Sequence, residues 1–258
     1  MSERPTGPKS LAEVFAQDIS SRIELPIDPT DAYAFAVDVS KYRPPSGFFE
    51  RVIGGLDYLN EEKFNEGMDN LARRVAEIVG AEPYIALVED EHDSTMWVHN
   101  LLTARGVPPG RLVNLNALDG KTAPDWFQQN IPAGTKMLIA NDFSIGAGTI
   151  DEIISAYDYS NEYATHVALL AISRRAEKVI SSLTQNIQLS LPGRRIQSLS
   201  DILTNEDIAF IQHHDGEALR EDALFWTWYK VPDNMPDFFT GTVGIAPLIR
   251  PEKFPKPY

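Results

Sequence analysis

The segment Met137-Leu138-Ile139-Ala140-Asn141-Asp142-Phe143-Ser144-Ile145-Gly146-Ala147-Gly148-Thr149 places four apolar residues before an amide and an acid, then a glycine-rich stretch. Glycines let main-chain N–H groups converge without obstruction by Cβ, and a helix starting behind them adds the positive end of its dipole. Such a turn can hold a phosphate without a basic side chain. Thr149 and Glu152 have the spacing of a capping box, which predicts a helix start at Thr149 and leaves Asp142 too far upstream to cap it. A carboxylate at a strand end with no capping task suits hydroxyl groups or a hydrated cation. The plainer alternative is an ordinary β–α turn whose acid is solvated.

The order of apolar strand, polar and acidic pair, short spacer and Gly/Thr-rich turn resembles the phosphoribosyl-pyrophosphate (PRPP) signature of type I phosphoribosyltransferases. The resemblance implies an α/β fold with a doubly wound, mainly parallel sheet. It implies that Asp142, as the catalytic acid, and Asn141 lie at the ribose hydroxyls. Ser144, Ile145, Gly146, Ala147, Gly148 and Thr149 would then wrap the 5′-phosphate. Asn141 stands where the family usually has a second acid. The loop after the first strand, Glu89-Asp90-Glu91-His92-Asp93-Ser94-Thr95, would meet pyrophosphate, with Ser94 and Thr95 as contacts. Its four carboxylates repel a polyanion at short range, so the resemblance implies Mg²⁺ between them, held by Asp90 and Asp142. Phosphoribosyl transfer would proceed by electrostatic stabilisation of an oxocarbenium-like centre. The helical start, the acid- and Ser/Thr-bearing loop and the late segment Trp226 to Pro236 are also similar to phosphoribosyltransferase-like proteins associated with bacterial conflict systems.

Two other functions fit the same acids. Ile85 to Glu91 followed by a helix ending at Arg105-Gly106 resembles a response-regulator receiver domain. Asp142 would be its phospho-acceptor and Ser173 its switch hydroxyl, but the expected lysine after Ser173 has no counterpart. A non-catalytic interaction module on the phosphoribosyltransferase-like fold is the other. Glu91-His92-Asp93 and His213-His214-Asp215 offer metal-ligand types, yet sequence neighbours rarely face one ion, and solvated loops explain them better. Phosphate-loop, nucleophile-elbow and early dinucleotide-binding glycine motifs are missing from the sequence. Phe225, Trp226, Trp228, Tyr229, Phe238 and Phe239 could stack a planar base above the sheet's edge, but alternating aromatics in a strand are more often core. Arg174 and Arg175, just past a strand, could neutralise a phosphate or lie on a helix surface.

Periodicity supplies the frame for these groups. Residues 1–80 read as a helical region. Ser10 and Glu13 form a capping box, Ile23 to Pro29 is irregular, and Phe48 to Leu56 has helical spacing with Gly54 and Gly55 inside it. Phe64, Met68, Leu71, Ala72, Val75, Ile78 and Val79 trace one face up to a C-cap at Gly80. Residues 81–258 read as an α/β domain. Strands are expected at Tyr84–Val88, Leu112–Leu115, Met137–Ala140 and Val167–Ile172, with helices between. A break at Leu191-Pro192-Gly193, a helix capped by Thr204 and Asp207, an aromatic strand at Leu224–Val231 and a proline-rich end complete it.

Composition limits the chemistry further. The 258 residues include no cysteine and carry a formal charge of −14. Thiolate nucleophiles, thiolate metal sites and disulfides are therefore excluded. The acidity argues against nucleic-acid partners, whose binding depends on cations releasing counterions from phosphates. No apolar stretch reaches membrane-spanning length, and the N-terminus has no signal-type apolar core, so a cytoplasmic protein is expected. The expected partner is a phosphorylated small molecule, PRPP or a nucleotide, and an oligomer of identical chains is compatible with the sequence.

Overall fold

The computed structural model describes residues 9–81, 85–88, 100, 103–106, 125, 129–130, 134–157, 164–183, 188–190, 194–232, 234–241 and 243–251. They group into two compact units, one comprising Met1–Glu61 with Gln197–Tyr258 and the other Glu62–Ile196. This partition differs from the boundary near residue 80 drawn from periodicity. An apolar stripe shows that a helix face is buried but not which partner buries it.

The first unit begins with helix α1, Leu11–Ser21. The Glu13 N–H donates to Ser10 Oγ at 3.2 Å, and the Ser10 N–H donates to the Glu13 carboxylate at 2.7 Å. That is the capping box read from the sequence. Ala12, Phe15 and Ile19 form its buried stripe. Helix α2, Pro29–Ser40, lies beyond the irregular stretch and was not read from the sequence. Its signal is Asp28-Pro29: Asp28 accepts the Thr30 N–H at 2.8 Å, and proline occupies the first turn, where its missing donor costs nothing. Helix α3, Phe48–Gly55, ends at the second of its two glycines, and strand β1, Asp57–Leu59, follows.

The second unit starts on helix α4, Glu61–Ala81, which runs through Gly80 rather than stopping there. Phe64, Met68, Leu71, Ala72, Val75 and Ile78 are buried along one stripe, as their spacing requires. Gly67 lets α4 approach the sheet closely, because a Cβ at this position would collide with Leu170 Cδ1. The sheet contains β2, Ile85–Val88, and β3, Lys136–Ser144. Helix α5, Gly148–Tyr157, then leads to β4, Ala164–Ser173, and helix α6, Arg174–Leu183. Two short strands end the unit: β5, Gln188–Ser190, and β6, Arg194–Ile196.

Strand order is β2-β3-β4-β5, with β6 also on β4, and every pairing is parallel. This is the mixed α/β architecture with a parallel sheet expected from the alternating pattern. Strand β5 pairs with His166–Ala168 and β6 with Ala171–Ser173, so two short strands share one edge of β4. From Thr165 to Ser173 β4 is buried without interruption. Parallel strands covered on both faces become continuous apolar runs of this kind. The strand expected at Leu112–Leu115, the acidic loop Glu89 to Thr95 and the break at Leu191-Pro192-Gly193 lie outside the described residues.

The chain returns to the first unit through helices α7, Leu199–Ile202, and α8, Asn205–His214. Strand β7, Phe225–Thr227, and helix α9, Asp237–Thr240, follow. Only three residues of the expected Leu224–Val231 strand are strand. The Thr227 N–H donates to the Lys230 carbonyl at 3.0 Å and turns the chain back. Strand β7 pairs in parallel with β1, with Tyr58 opposite Trp226. The core is aromatic: Phe15, Phe35, Phe48, Phe49, Trp226, Phe238 and Phe239 are all buried. Each such side chain contributes roughly 1.5–3 kcal/mol. Arg51 forks onto Asp207 at 2.6 and 2.8 Å, and Arg250 onto Asp31 at 2.9 Å through both nitrogens. Both forks join the chain's first part to its last within this unit.

Candidate functional site

Strand β3 carries the candidate residues, and it is longer than its apolar run suggests. Pairing with β4 continues past Ala140 through Asn141↔Leu169, Phe143↔Ala171 and Ser144↔Ile172. Asn141 and Asp142 therefore lie within the strand, not in the turn after it. Successive strand residues point to opposite faces. Asn141 is half-buried, whereas Asp142 is 1% exposed. Asn141 Oδ1 accepts the Asp142 N–H at 2.8 Å, and Asp142 Oδ1 accepts the Phe143 N–H at 2.8 Å. Both side chains thus fold back on their own main chain. The two residues that the sequence reading set side by side at one ribose are turned apart.

The turn itself is where that reading set it, after β3 and before α5. Ser144, Ile145 and Ala147 are buried, Gly146 is half-buried and Gly148 is exposed. Helix α5 starts at Gly148, one residue before the expected Thr149, and the Asp151 N–H donates to the Ala147 carbonyl at 2.9 Å. The cap expected from Thr149 and Glu152 falls outside the described side chains. Left-handed backbone occurs at Ala147, with φ 66°, and not at either neighbouring glycine. An alanine held there costs about 1–2 kcal/mol. Left-handed geometry beside a helix start turns successive N–H groups to a common side, the arrangement of an anion-binding nest. A Cβ built on Gly148 meets nothing within 4 Å, so the approach to the helix start is open around it.

Ser173 ties this turn to the next crossover. It is fully buried at the end of β4; its Oγ donates to the Ile145 carbonyl at 2.5 Å and accepts the Ala176 N–H at 3.0 Å. One hydroxyl therefore anchors the turn and caps α6. Arg174 and Arg175 are exposed in the first turn of α6. Sequence reasoning missed Arg195, which forks onto Glu177 of α6 at 2.8 and 2.9 Å. The available signal was an Arg-Arg pair following a Pro-Gly break.

Of the two carboxylates expected to hold Mg²⁺, only Asp142 falls among the described residues. Asp90, Ser94 and Thr95 lie outside them, the Asp142 carboxylate is buried with one oxygen committed to a main-chain N–H, and no group of three or more His, Asp or Glu converges among them. His213 and His214 belong to the last turn of α8, His213 exposed and His214 packed against aromatic rings. His214 lies 4.5 Å from the Tyr42 ring and 5.0 Å from that of Phe210. Burial, then the neighbouring His213, lowers the His214 pKa. Among the described residues no helix is long and apolar enough to cross a membrane.

No protein-family model matches this chain, and no curated protein does. Similar solved structures include the Helicobacter pylori xanthine-guanine-hypoxanthine phosphoribosyltransferase, at 14% identity over 55% of this chain and 90% of that one, with a TM-score of 0.31. Another is the Schistosoma mansoni hypoxanthine-guanine phosphoribosyltransferase in complex with IMP, at 15% identity over 61% of this chain and 78% of that one, with a TM-score of 0.35. The α/β class of this chain rests on its own strand order and register.

Proposed function

We propose that the Glu62–Ile196 unit is a type I phosphoribosyltransferase-like domain whose turn from Ser144 to Thr149 binds the 5′-phosphate of PRPP or of a nucleotide. The observation that carries this reading is the left-handed Ala147 immediately before α5. Strain kept at a strand-to-helix turn beside an open helix start has a use if the turn presents its N–H groups to an anion. The charge of the phosphate would be met by main-chain dipoles, which suits a chain of −14. Kinship to the conflict-associated branch belongs to the same proposal and rests on the order of elements.

Binding is the better supported half. Transfer would require Asp142 to reach the ribose from a position that is 1% exposed. Mg²⁺ enters the proposal as an ion carried by the phosphates of PRPP, consistent with the small number of protein ligands that this ion usually takes.

Isothermal titration with PRPP and with IMP, each with and without Mg²⁺, tests the reading. Saturable binding is expected in the wild type, and its loss in Gly148→Leu, whose side chain would project into open space without disturbing the fold. Absence of heat with both ligands, or unchanged binding in the variant with an intact circular-dichroism spectrum, would sink it. A phosphoryl mass increment on Asp142 after acetyl phosphate treatment would favour the receiver instead.

A further inference from the structure

The Ser173 hydroxyl has a single proton, and its surroundings fix where that proton goes. A lone pair of Oγ accepts the Ala176 N–H at 3.0 Å, so the proton is left for the Ile145 carbonyl, reached at 2.5 Å. Ser173 and Ile145 are both buried, and the Ile145 carbonyl is thereby held toward the end of β4. The Ile145–Gly146 peptide is trans, and in a planar trans peptide the C=O and N–H point in opposite directions. The Gly146 N–H is therefore turned away from Ser173. Among the described residues no hydrogen bond takes it.

A second carbonyl acts in the same way two residues on. The Ala147 carbonyl accepts the Asp151 N–H at 2.9 Å, which directs the Gly148 N–H back out of the start of α5, where a Cβ on Gly148 meets nothing within 4 Å. Left-handed Ala147, with φ 66°, lies between the two and turns their N–H groups to a common side. The two donors are not held equally. Gly148 is oriented by a bond that closes within its own helix, whereas Gly146 depends on a side chain 28 residues beyond Ile145. Without the Ser173 proton, the freedom of glycine at 146 lets that peptide plane rotate at little cost.

We propose that Ser173 is a positioning residue of the Ser144–Thr149 turn: by holding the Ile145 carbonyl it aims the Gly146 N–H, together with that of Gly148, at the phosphate of the ligand. This role rests on the phosphate reading of the turn proposed above, and adds to it two named donors and a residue outside the turn. Ser173 is too deeply buried to meet the ligand, and its effect passes through the peptide plane alone.

Titration of IMP into the ¹⁵N-labelled full chain, at a temperature where every variant is folded, tests the role. In the wild type the Gly146 and Gly148 amide signals should shift together and saturably. Ser173→Ala should weaken IMP binding about tenfold, the order of one impaired charge-assisted hydrogen bond, and should abolish the Gly146 shift while the Gly148 shift persists. Ser173→Thr should restore affinity and the Gly146 shift. A serine that only stabilises the fold would lower the melting temperature of the alanine variant and leave affinity and the Gly146 shift unchanged, which would overturn the proposal. If Ser173→Ala does not fold, the wild-type spectrum decides, and IMP binding without movement of Gly146 overturns it. Absence of IMP and PRPP binding in the wild type would remove the phosphate reading and this role with it. Wild-type binding equalled by folded Ser173→Ala would remove the role alone.

Discussion

Ser173 at the end of β4 donates its hydroxyl to the carbonyl of Ile145, 28 residues earlier, at a distance of 2.5 Å. The same oxygen accepts the Ala176 N–H at 3.0 Å. Two consecutive crossovers are thereby held by one buried atom, and the backbone of the candidate turn is fixed relative to α6.

Ser173→Ala removes an N-cap and leaves a buried carbonyl unpaired. Loss of about 1–2 kcal/mol is expected in urea unfolding. Ser173→Thr, which keeps the hydroxyl, should recover part of it. Amide exchange at Ile145–Gly148 should accelerate in the alanine variant before global unfolding does. Unchanged stability together with unchanged exchange would show that the turn does not depend on this bond.

Asp207 is fully buried and accepts both arms of Arg51 together with the Thr204 N–H at 2.8 Å and its hydroxyl at 2.7 Å. Burial alone would raise its pKa, but Arg51 and Thr204 outweigh burial and hold it below the usual carboxylate range. A depressed folded pKa contributes stability that is complete above the unfolded value near 4 and is lost as the pH falls through the folded value. Asp207→Asn should therefore cost about 3 kcal/mol at neutral pH. The difference from wild type should close on acidification. A pH-independent difference would contradict the assignment.

Asp222 has the opposite sign. It is buried and accepts the Leu219 N–H at 2.7 Å; burial raises its pKa more than the hydrogen bonds with Leu219 and the Asn234 side chain lower it, and Asp215 and Glu221 add to the rise. Its folded pKa lies above its unfolded one, so ionisation weakens the fold as the pH rises through the folded value. Asp222→Asn, which keeps an acceptor for Leu219, is expected to stabilise the protein at about pH 7 and to give no gain below about pH 4. Thermal melts at the two pH values decide it. Destabilisation at neutral pH would mean that the charged carboxylate gains more from its hydrogen bonds with Leu219 and Asn234 than burial costs it.

Gly67→Ala improves helix propensity by up to about 1 kcal/mol but drives a methyl group into Leu170 Cδ1 on β4. Overpacking should prevail, with a net loss of about 1–2 kcal/mol. Leu170→Val, which shortens the colliding side chain, should couple to it in a double-mutant cycle. Additive effects would place the glycine's importance in the helix itself rather than at the contact.

Much of the local form was legible. Ser10 with Glu13 and Thr204 with Asp207 are caps in both sequence and structure, because a capping box is closed within four residues. The α4 stripe and the strands around 85–88, 137–140 and 167–172 were legible for the same reason, since burial imposes a period of a few residues. Helix α2 had a readable start in Asp28-Pro29, but its weak apolar contrast gave no period to follow. The site was only partly legible. The turn's place after β3 followed from composition, whereas the extension of β3 through Asp142 did not, since polar residues carry no strand period of their own.

By itself, the sequence determined which segments could be helix or strand, where several helices begin, that thiol chemistry is unavailable, and that a phosphate would have to be met by main-chain dipoles or by a few local arginines. Tertiary structure alone decided that Asp142 is buried within a strand, that Ala147 and not a glycine is left-handed, that Ser173 reaches Ile145, and that β7 returns to pair with β1. The division follows from range. Caps and stripes arise between residues a few positions apart, whereas register and burial depend on partners brought together from distant parts of the chain, whose positions no local pattern encodes.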